Sequence, residues 1–471
     1  MVRVTPALAL GLGLFTAACA TFSPDGGMAV VATTAREQVG AEVAKITSET
    51  AAARVNNQVA ELLRAPISPD SAVQIALLNN RALQAAYNDL GLAEIDSVEA
   101  GLPPNPRLSL SRLAGPNYSN WAVGLMGDIL ALMTLPARQE IAAQRFTQAQ
   151  HIAIEATYRT TLETRRAWVS AVAARQTVGF LEQARLAADA TADLMRKLGE
   201  TGSATKLEQA RAGAAYAEIS AQLAQARLRA GQEHEALTRL LGLWGKAREF
   251  RLPSQLPPLP RTLDRIANVE TEAVTRRVDL AIARQEVALV ARSLKLTEAT
   301  RYVSVLELAG IGEFERDVGQ RSNRNGIHMA LEIPIFDGGE VKLRREIETY
   351  MRAVNRLAAK AVTARSEARA AYQSYLGSHE IATQYQNRVL PLRRIIAQEM
   401  LARYNGMLVD VFDLLIEARE RVVSNIAAIE ARRAFLLAEI DLRAAIIGGG
   451  GANLLNETPN VAAIAASGGG L

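Results

Sequence analysis

The feature that most constrains this chain is a strand pattern that runs straight into a helix too long for a globular core. From Asn325 the residues alternate. Ile327, Met329, Leu331 and Ile333 fall on one side, and His328, Ala330 and Glu332 on the other. That is the period of a strand with one apolar face. Pro334 and the pair Gly338-Gly339 end it, because neither continues a strand or sits easily inside a helix. Residues 340–390 are then charged, Ala-rich and nearly free of Gly and Pro, which reads as one long helix. The chain does this twice. The earlier copy is Leu130-Ala131-Leu132-Met133-Thr134-Leu135, a strand-like run, with Pro136 opening a helix that continues to about residue 198.

The rest of the chain repeats in the same order. A polar helix is expected over residues 33–64. A second helix starts at Ser68-Pro69, with Ser as cap and Pro in the first turn, and runs to about residue 100. Gly101-Leu102-Pro103-Pro104-Asn105-Pro106 ends it. Residues 107–114 alternate, Gly115-Pro116-Asn117 is a turn, and Trp121, Val123 and Leu125 begin another strand. After the long helix, residues 199–205 break the pattern, and helix resumes from Lys206 to about Leu241. Four prolines between Pro253 and Pro260 mark a linker. The second half has a helix over residues 264–300, strands over 302–314 and 325–333, and the long helix after Gly339. A break follows at Tyr404-Asn405-Gly406, then a helix to Ile447. Leu83 and Leu280 are 197 positions apart, Pro136 and Pro334 198, and Gly202 and Gly406 204. A duplicated unit whose offset widens within the long helix gives this series.

The N-terminus reads as an address. Arg3, an apolar run of about ten residues and the small residues before Cys19 fit a signal peptide, too short to span a bilayer permanently. Cys19 is the only cysteine, so no internal disulfide forms, and its position resembles a lipobox whose Cys is lipidated, as by palmitate. An ordinary signal peptide with an incidental Cys is the alternative. The expected divisions are a signal peptide (1–18), a lipid-anchored segment (19–67), a first repeat (68–249) and a Pro-rich linker (250–262). A second repeat (263–447) and a Gly-rich disordered tail (448–471) complete the chain. The formal net charge of +4 over 471 residues does not argue for nucleic acid, and the interleaved charges read as solvated helix faces. Aromatic residues make up only 5%, low for a thick globular core.

Each repeat supplies two strands, four in all. Four strands cannot close a membrane barrel, the smallest having about eight, and open edges are not tolerated in lipid. Strands that cross a membrane here must share one barrel among chains: two copies give eight strands and three give 12. A sheet in water packed on a helix is the other reading of the same alternation.

Three motifs, in this order and duplicated, make the chain similar to the TolC family of bacterial outer-membrane efflux factors, in its lipoprotein branch. They are Ala76-Leu77-Leu78-Asn79-Asn80-Arg81-Ala82-Leu83 with the Pro-rich stop at 101–106, Ile333-Pro334-Ile335-Phe336-Asp337-Gly338-Gly339, and Arg403-Tyr404-Asn405-Gly406 with Asp413-Leu414-Leu415. The likeness covers about residues 65–447. It implies a mainly α fold with a small β part: long coiled hairpins and four strands per chain. Three chains would form a 12-stranded barrel on a 12-helix periplasmic tube. It also implies a passive exit channel lodged in outer-membrane lipid. The implied partners are a periplasmic adaptor (membrane fusion) protein and an inner-membrane pump of the resistance-nodulation-division type. A lipid-anchored coiled-coil scaffold and the outer-membrane component of a type I secretion system are the competing readings.

No enzymatic chemistry is expected. His151, His234, His328 and His379 do not pair at metal-ligand spacing, no phosphate loop is present, and no nucleophile elbow occurs. Neither a metal nor another cofactor is expected. The candidate functional residues are Cys19 for lipidation and Ile327, Met329, Leu331 and Ile333 for a lipid-facing strand. The two helix breaks are expected to be hairpin tips that contact the adaptor, through Gly202, Ser203, Gly406, Met407, Leu408 and Val409. Asp410 and Asp413, three apart on one helix face, resemble the family's acidic channel constriction. The same two carboxylates are also ordinary chemistry for a helix start.

Overall fold

The computed structural model describes residues 22–449. The expected signal peptide, Cys19 and all but two residues of the expected tail lie outside the described residues. Two N-terminal helices, α1 (Met28–Gln38) and α2 (Glu49–Leu62), come first. They replace the single helix expected over 33–64. Gly40 in the left-handed region stops the first, and Ser48 caps the second by accepting from the Ala51 N–H.

Two further helices precede the sheet: α3 (Pro69–Asn79) and α4 (Arg81–Ala100). Expected as one helix, they are separated by Asn80, whose backbone is extended at φ −66° and ψ 118°. The Asn80 side chain caps α4 through the Leu83 N–H, as a good N-cap does. The second repeat bends identically. Between α7 (Val269–Arg276) and α8 (Val278–Thr300), Arg277 sits at φ −65° and ψ 125°. Leu83 and Leu280, the matched leucines just after each bend, are both buried.

The strands β1 (Arg107–Gly115), β2 (Tyr118–Asp128), β3 (Val305–Asp317) and β4 (Gln320–Glu332) form one antiparallel sheet in that order. Two-residue turns, Pro116-Asn117 and Val318-Gly319, close the hairpins. Both hairpins therefore point away from the helices. β4 begins at Gln320, five residues earlier than expected, and ends at Glu332, so Ile333 lies just outside it. The run 130–135 is not a strand. The long helix α5 (Ile129–Glu200) begins at once, because the Asp128 carboxylate accepts from the Ala131 N–H. Pro136 is inside this helix. Its missing N–H costs one bond near the N-terminus, while Arg138 Nη2 donates to the Ala131 carbonyl nearby.

The pairing of Pro136 with Pro334 is therefore wrong in structure: one is helical and the other lies in the loop after β4. Strand ends Asp128 and Glu332 are 204 positions apart, as are Gly202 and Gly406. The strand starts Arg107 and Val305 are 198 apart. The extra residues thus sit in the longer second β-hairpin, not in the long helix.

α5 has 72 residues and is about 108 Å long at ~1.5 Å per residue. It returns through α6 (Lys206–Leu240). In the second repeat α9 (Glu340–Gln384) continues through a wide turn, Tyr385–Val389, into α10 (Leu390–Asn405), and α11 (Val411–Ile447) returns. The wide turn comes just before Pro391, where a ring that clashes with the preceding turn needs extra room. The thickest core lies where α2, α3, α5, α6 and the linker meet, around Ile67, Trp168, Leu237, Leu241, Phe250 and Leu252. Trp168 Nε1 donates to the Ile67 carbonyl at 2.8 Å, which satisfies the one polar atom of a buried indole.

Candidate functional site

The sheet has two chemically different faces, fixed by its register. Leu108, Leu125, Gly310 and Ile327 are cross-strand partners in one row, and Leu110, Val123, Gly312 and Asn325 in the next. Leu308 pairs with Met329, and Leu306 with Leu331. This face is apolar and open: Leu108 is 73% and Ile327 81% exposed. The other face carries Ser109, Ser111, Asn120, Gly124, His328 and Glu332. Its arginines are paired: Arg107 with Glu307, and Arg324 with Glu315 at 3.3 Å.

Side chains this apolar are buried in a soluble domain. Here nothing among the described residues covers them, and among those residues the outer edges of β1 and β4 are also unpaired. The four rows of the apolar face from Leu110 to Leu331 hold no charge. At ~3.4 Å per residue they span about 20 Å, close to the ~25 Å apolar band of a tilted barrel strand. Aromatic residues stand at both ends of the band. Trp121 and Phe314 pair at the hairpin end, and Tyr302 and Phe336 are exposed at the helix end, Phe336 at 99%. Ile333 is exposed beside Phe336, in the loop rather than the strand.

The two helix breaks lie together at the far end of the long helices. Met195 of α5, Ala212 of α6 and Val411 of α11 share one buried cluster, with Tyr404 and Leu415 packed on it. Their stops differ. Gly202 takes the left-handed conformation at φ 76°. At the second tip that conformation falls to Met407 at φ 59°, whereas Gly406 has an ordinary φ of −83°. The two glycines are therefore not equivalent, since only Gly202 supplies a left-handed turn residue. Ser203, Met407 and Leu408 are exposed, and Val409 is half-buried rather than exposed.

Asp410 caps α11, its carboxylate accepting from the Phe412 and Asp413 N–H groups at 2.8 and 3.1 Å. Asp413 is exposed in the first turn. Across the tip, Thr205 and Glu208 form a reciprocal capping box at the start of α6. The Thr205 backbone N–H and hydroxyl hold the Glu208 carboxyl below its usual range, against the repulsion of nearby Asp410. Three carboxylates therefore gather at the two helix starts, with Arg211 stacked on Phe412 at 4.0 Å. Sequence reading missed Glu208, although Thr205-Lys206-Leu207-Glu208 has the spacing of a capping box.

Among the described residues no cluster could hold a metal ion, and no helix is long and apolar enough to cross a membrane.

No family model matches the chain, and no curated protein does. Solved structures match its fold. A membrane protein from Pseudomonas aeruginosa superposes with a TM-score of 0.69 at 19% identity, covering 80% of this chain and 93% of its own. CusC, described with its transmembrane channel formation, gives 0.68 at 18%, covering 84% and 92%. The outer-membrane channel OprN gives 0.68 at 17%, covering 87% and 94%.

Proposed function

We infer that this chain, built on the TolC-family channel fold, is an outer-membrane exit channel of a tripartite efflux pump. The observation that carries the reading is the open four-stranded sheet, apolar on one face and polar on the other, joined directly to helices about 100 Å long. One copy leaves two strand edges unpaired, and lipid does not tolerate them. Three copies close the sheet into 12 strands around a polar lumen and set four long helical arms per chain into a tube. The polar face then meets water inside the barrel, and the apolar face meets lipid. A soluble scaffold leaves that sheet without a role.

In this reading the tips are the periplasmic end and meet an adaptor protein bound to an inner-membrane pump. Met407 and Leu408 are its most exposed apolar groups there. Asp410 and Asp413 ring the narrow mouth, where grouped carboxylates repel anions and attract cations. Asp410 serves as a cap at the same time, because its cap bonds leave one carboxylate oxygen free. Lipidation at Cys19 anchors the N-terminus in the same membrane.

Single-channel recording of the purified, reconstituted protein tests the reading. The wild type is expected to conduct and to be blocked by multivalent cations. Asp410→Ala with Asp413→Ala is expected to conduct more and lose the block. A wild type that forms no channel contradicts the reading, and an unchanged double variant removes only the constriction.

A further inference from the structure

The arginines of the sheet are sorted by face in a way the channel reading does not use. On the polar face Arg107 and Arg324 each have a glutamate partner. The apolar face carries three others, Arg112, Arg316 and Arg321, and no carboxylate at all. All three are exposed and lie in the two rows next to the hairpin turns. Arg316 and Arg321 are direct cross-strand partners, and like charges so placed repel. Neither has an ion pair among the described residues. Arg112 lies over Trp121 at 5.1 Å, and Trp121 pairs with Phe314 in the same row.

A charge at mid-bilayer is costly, but that cost falls to almost nothing near the interface. These arginines stand just past the uncharged band, at the headgroup level on the side away from the helices. Two adjacent guanidinium groups without ion pairs, next to a row that holds Trp121 and Phe314, match the phosphate of a lipid headgroup, which accepts paired N–H bonds from arginine. The neighbouring Trp121 and Phe314 would meet the upper acyl chains.

We propose that Arg316 and Arg321, with Arg112 of the adjoining copy, form a binding site for phosphorylated lipid of the outer leaflet. The proposal rests on the apolar face meeting a membrane. When copies pair edge to edge, β4 of one chain adjoins β1 of the next, so Arg112 of the neighbouring copy joins the strand beside Arg321. The bound phosphates offset the Arg316–Arg321 repulsion and fix the depth of the barrel.

The test uses the full-length protein in nanodiscs of phosphatidylcholine, alone or with lipid A, and counts the lipid that co-purifies by mass spectrometry. The wild type is expected to enrich lipid A over phosphatidylcholine. Arg316→Gln with Arg321→Gln should reduce that enrichment about ten-fold or more. Arg316→Lys with Arg321→Lys should keep most of it. Arg324→Gln, which removes one positive charge from the polar face, should leave it unchanged. Enrichment that survives Arg316→Gln with Arg321→Gln overturns the site. So does displacement of lipid A by inorganic phosphate at matched phosphate concentration, which marks a free-anion site. A wild type that enters phosphatidylcholine nanodiscs without preferring lipid A overturns this inference alone. One that enters neither kind overturns the membrane reading and the site with it.

Discussion

The two repeats bend at the same place and hold the bend with different chemistry. In the first, Asn79 and Asn80 reach across to the end of α6. Asn79 Nδ2 donates to the Leu241 and Gly242 carbonyls at 3.0 and 2.8 Å, and Asn80 Nδ2 donates to Leu240 at 2.8 Å. These are carbonyls that a helix end leaves without partners. In the second, the buried Arg277 reaches the end of α11 and donates to the Ala445 carbonyl. It also pairs with Asp279 at 2.8 Å and Glu367 at 2.6 Å. Burial pulls the guanidinium pKa down, but the bonds to the two carboxylates outweigh it and raise the value. The backbone bend is the repeated unit, and the clasp that closes it is free to vary. Neutral amides give a clasp that can be lost cheaply. An ion triad gives one whose partial removal leaves charge stranded.

That difference predicts unequal consequences. Arg277→Ala strands two carboxylates that are each about three-quarters buried. It should cost about 3 kcal/mol, the lower end for a broken buried pair. Asn79→Ala should cost about 1–2 kcal/mol, as lost hydrogen bonds do. Denaturant titration of the detergent-solubilised protein reads both. Equal losses would mean that the triad is no more coupled than the amide clasp.

The junctions from sheet to long helix differ as well. The first is capped by Asp128 and is helical at once, and the second turns through Gly338 and Gly339, both left-handed. A Cβ on Gly339 would run into the Arg301 carbonyl, whereas Gly338 faces open space. Gly339→Ala should therefore cost about 2–3 kcal/mol from strain and clash together. Gly338→Ala should cost about 1 kcal/mol from its backbone alone. Matched losses in the same titration would show that the Arg301 contact relaxes freely.

The tips give the smallest contrast. Gly202→Ala puts a side chain into the left-handed region and should cost about 1 kcal/mol. Met407→Gly relieves the same conformation and should gain up to about 1 kcal/mol. Opposite signs in thermal unfolding sharpen the comparison of the two stops, and a loss from Met407→Gly breaks it.

Much of this architecture is legible in the residues. Alternation marked the apolar face of β4, and glycine and proline marked the tips and the linker. Three features were hidden for physical reasons. The bends at Asn80 and Arg277 carry neither Gly nor Pro, and their extended backbone is held by tertiary bonds that no local pattern reports. Residues 320–324, Gln-Arg-Ser-Asn-Arg in sequence, lack an apolar period because both faces are polar near the turn. Residues 130–135 look like a strand by composition, but the Asp128 cap and helix geometry prevail. At the site, the acidic pair was visible, whereas Glu208 needed the two helix starts to be brought together. The sorting of arginines by face needed the register.

One chain is proposed to supply a third of a barrel. Native mass spectrometry of the detergent-solubilised protein tests it most directly. The expected result is an assembly of three 50.7 kDa chains, reduced from that value only by whatever processing removes, that falls apart when the β1 and β4 edges are prevented from pairing. A protein that remains a single chain in detergent, with those edges unpaired and the apolar face uncovered, would contradict it.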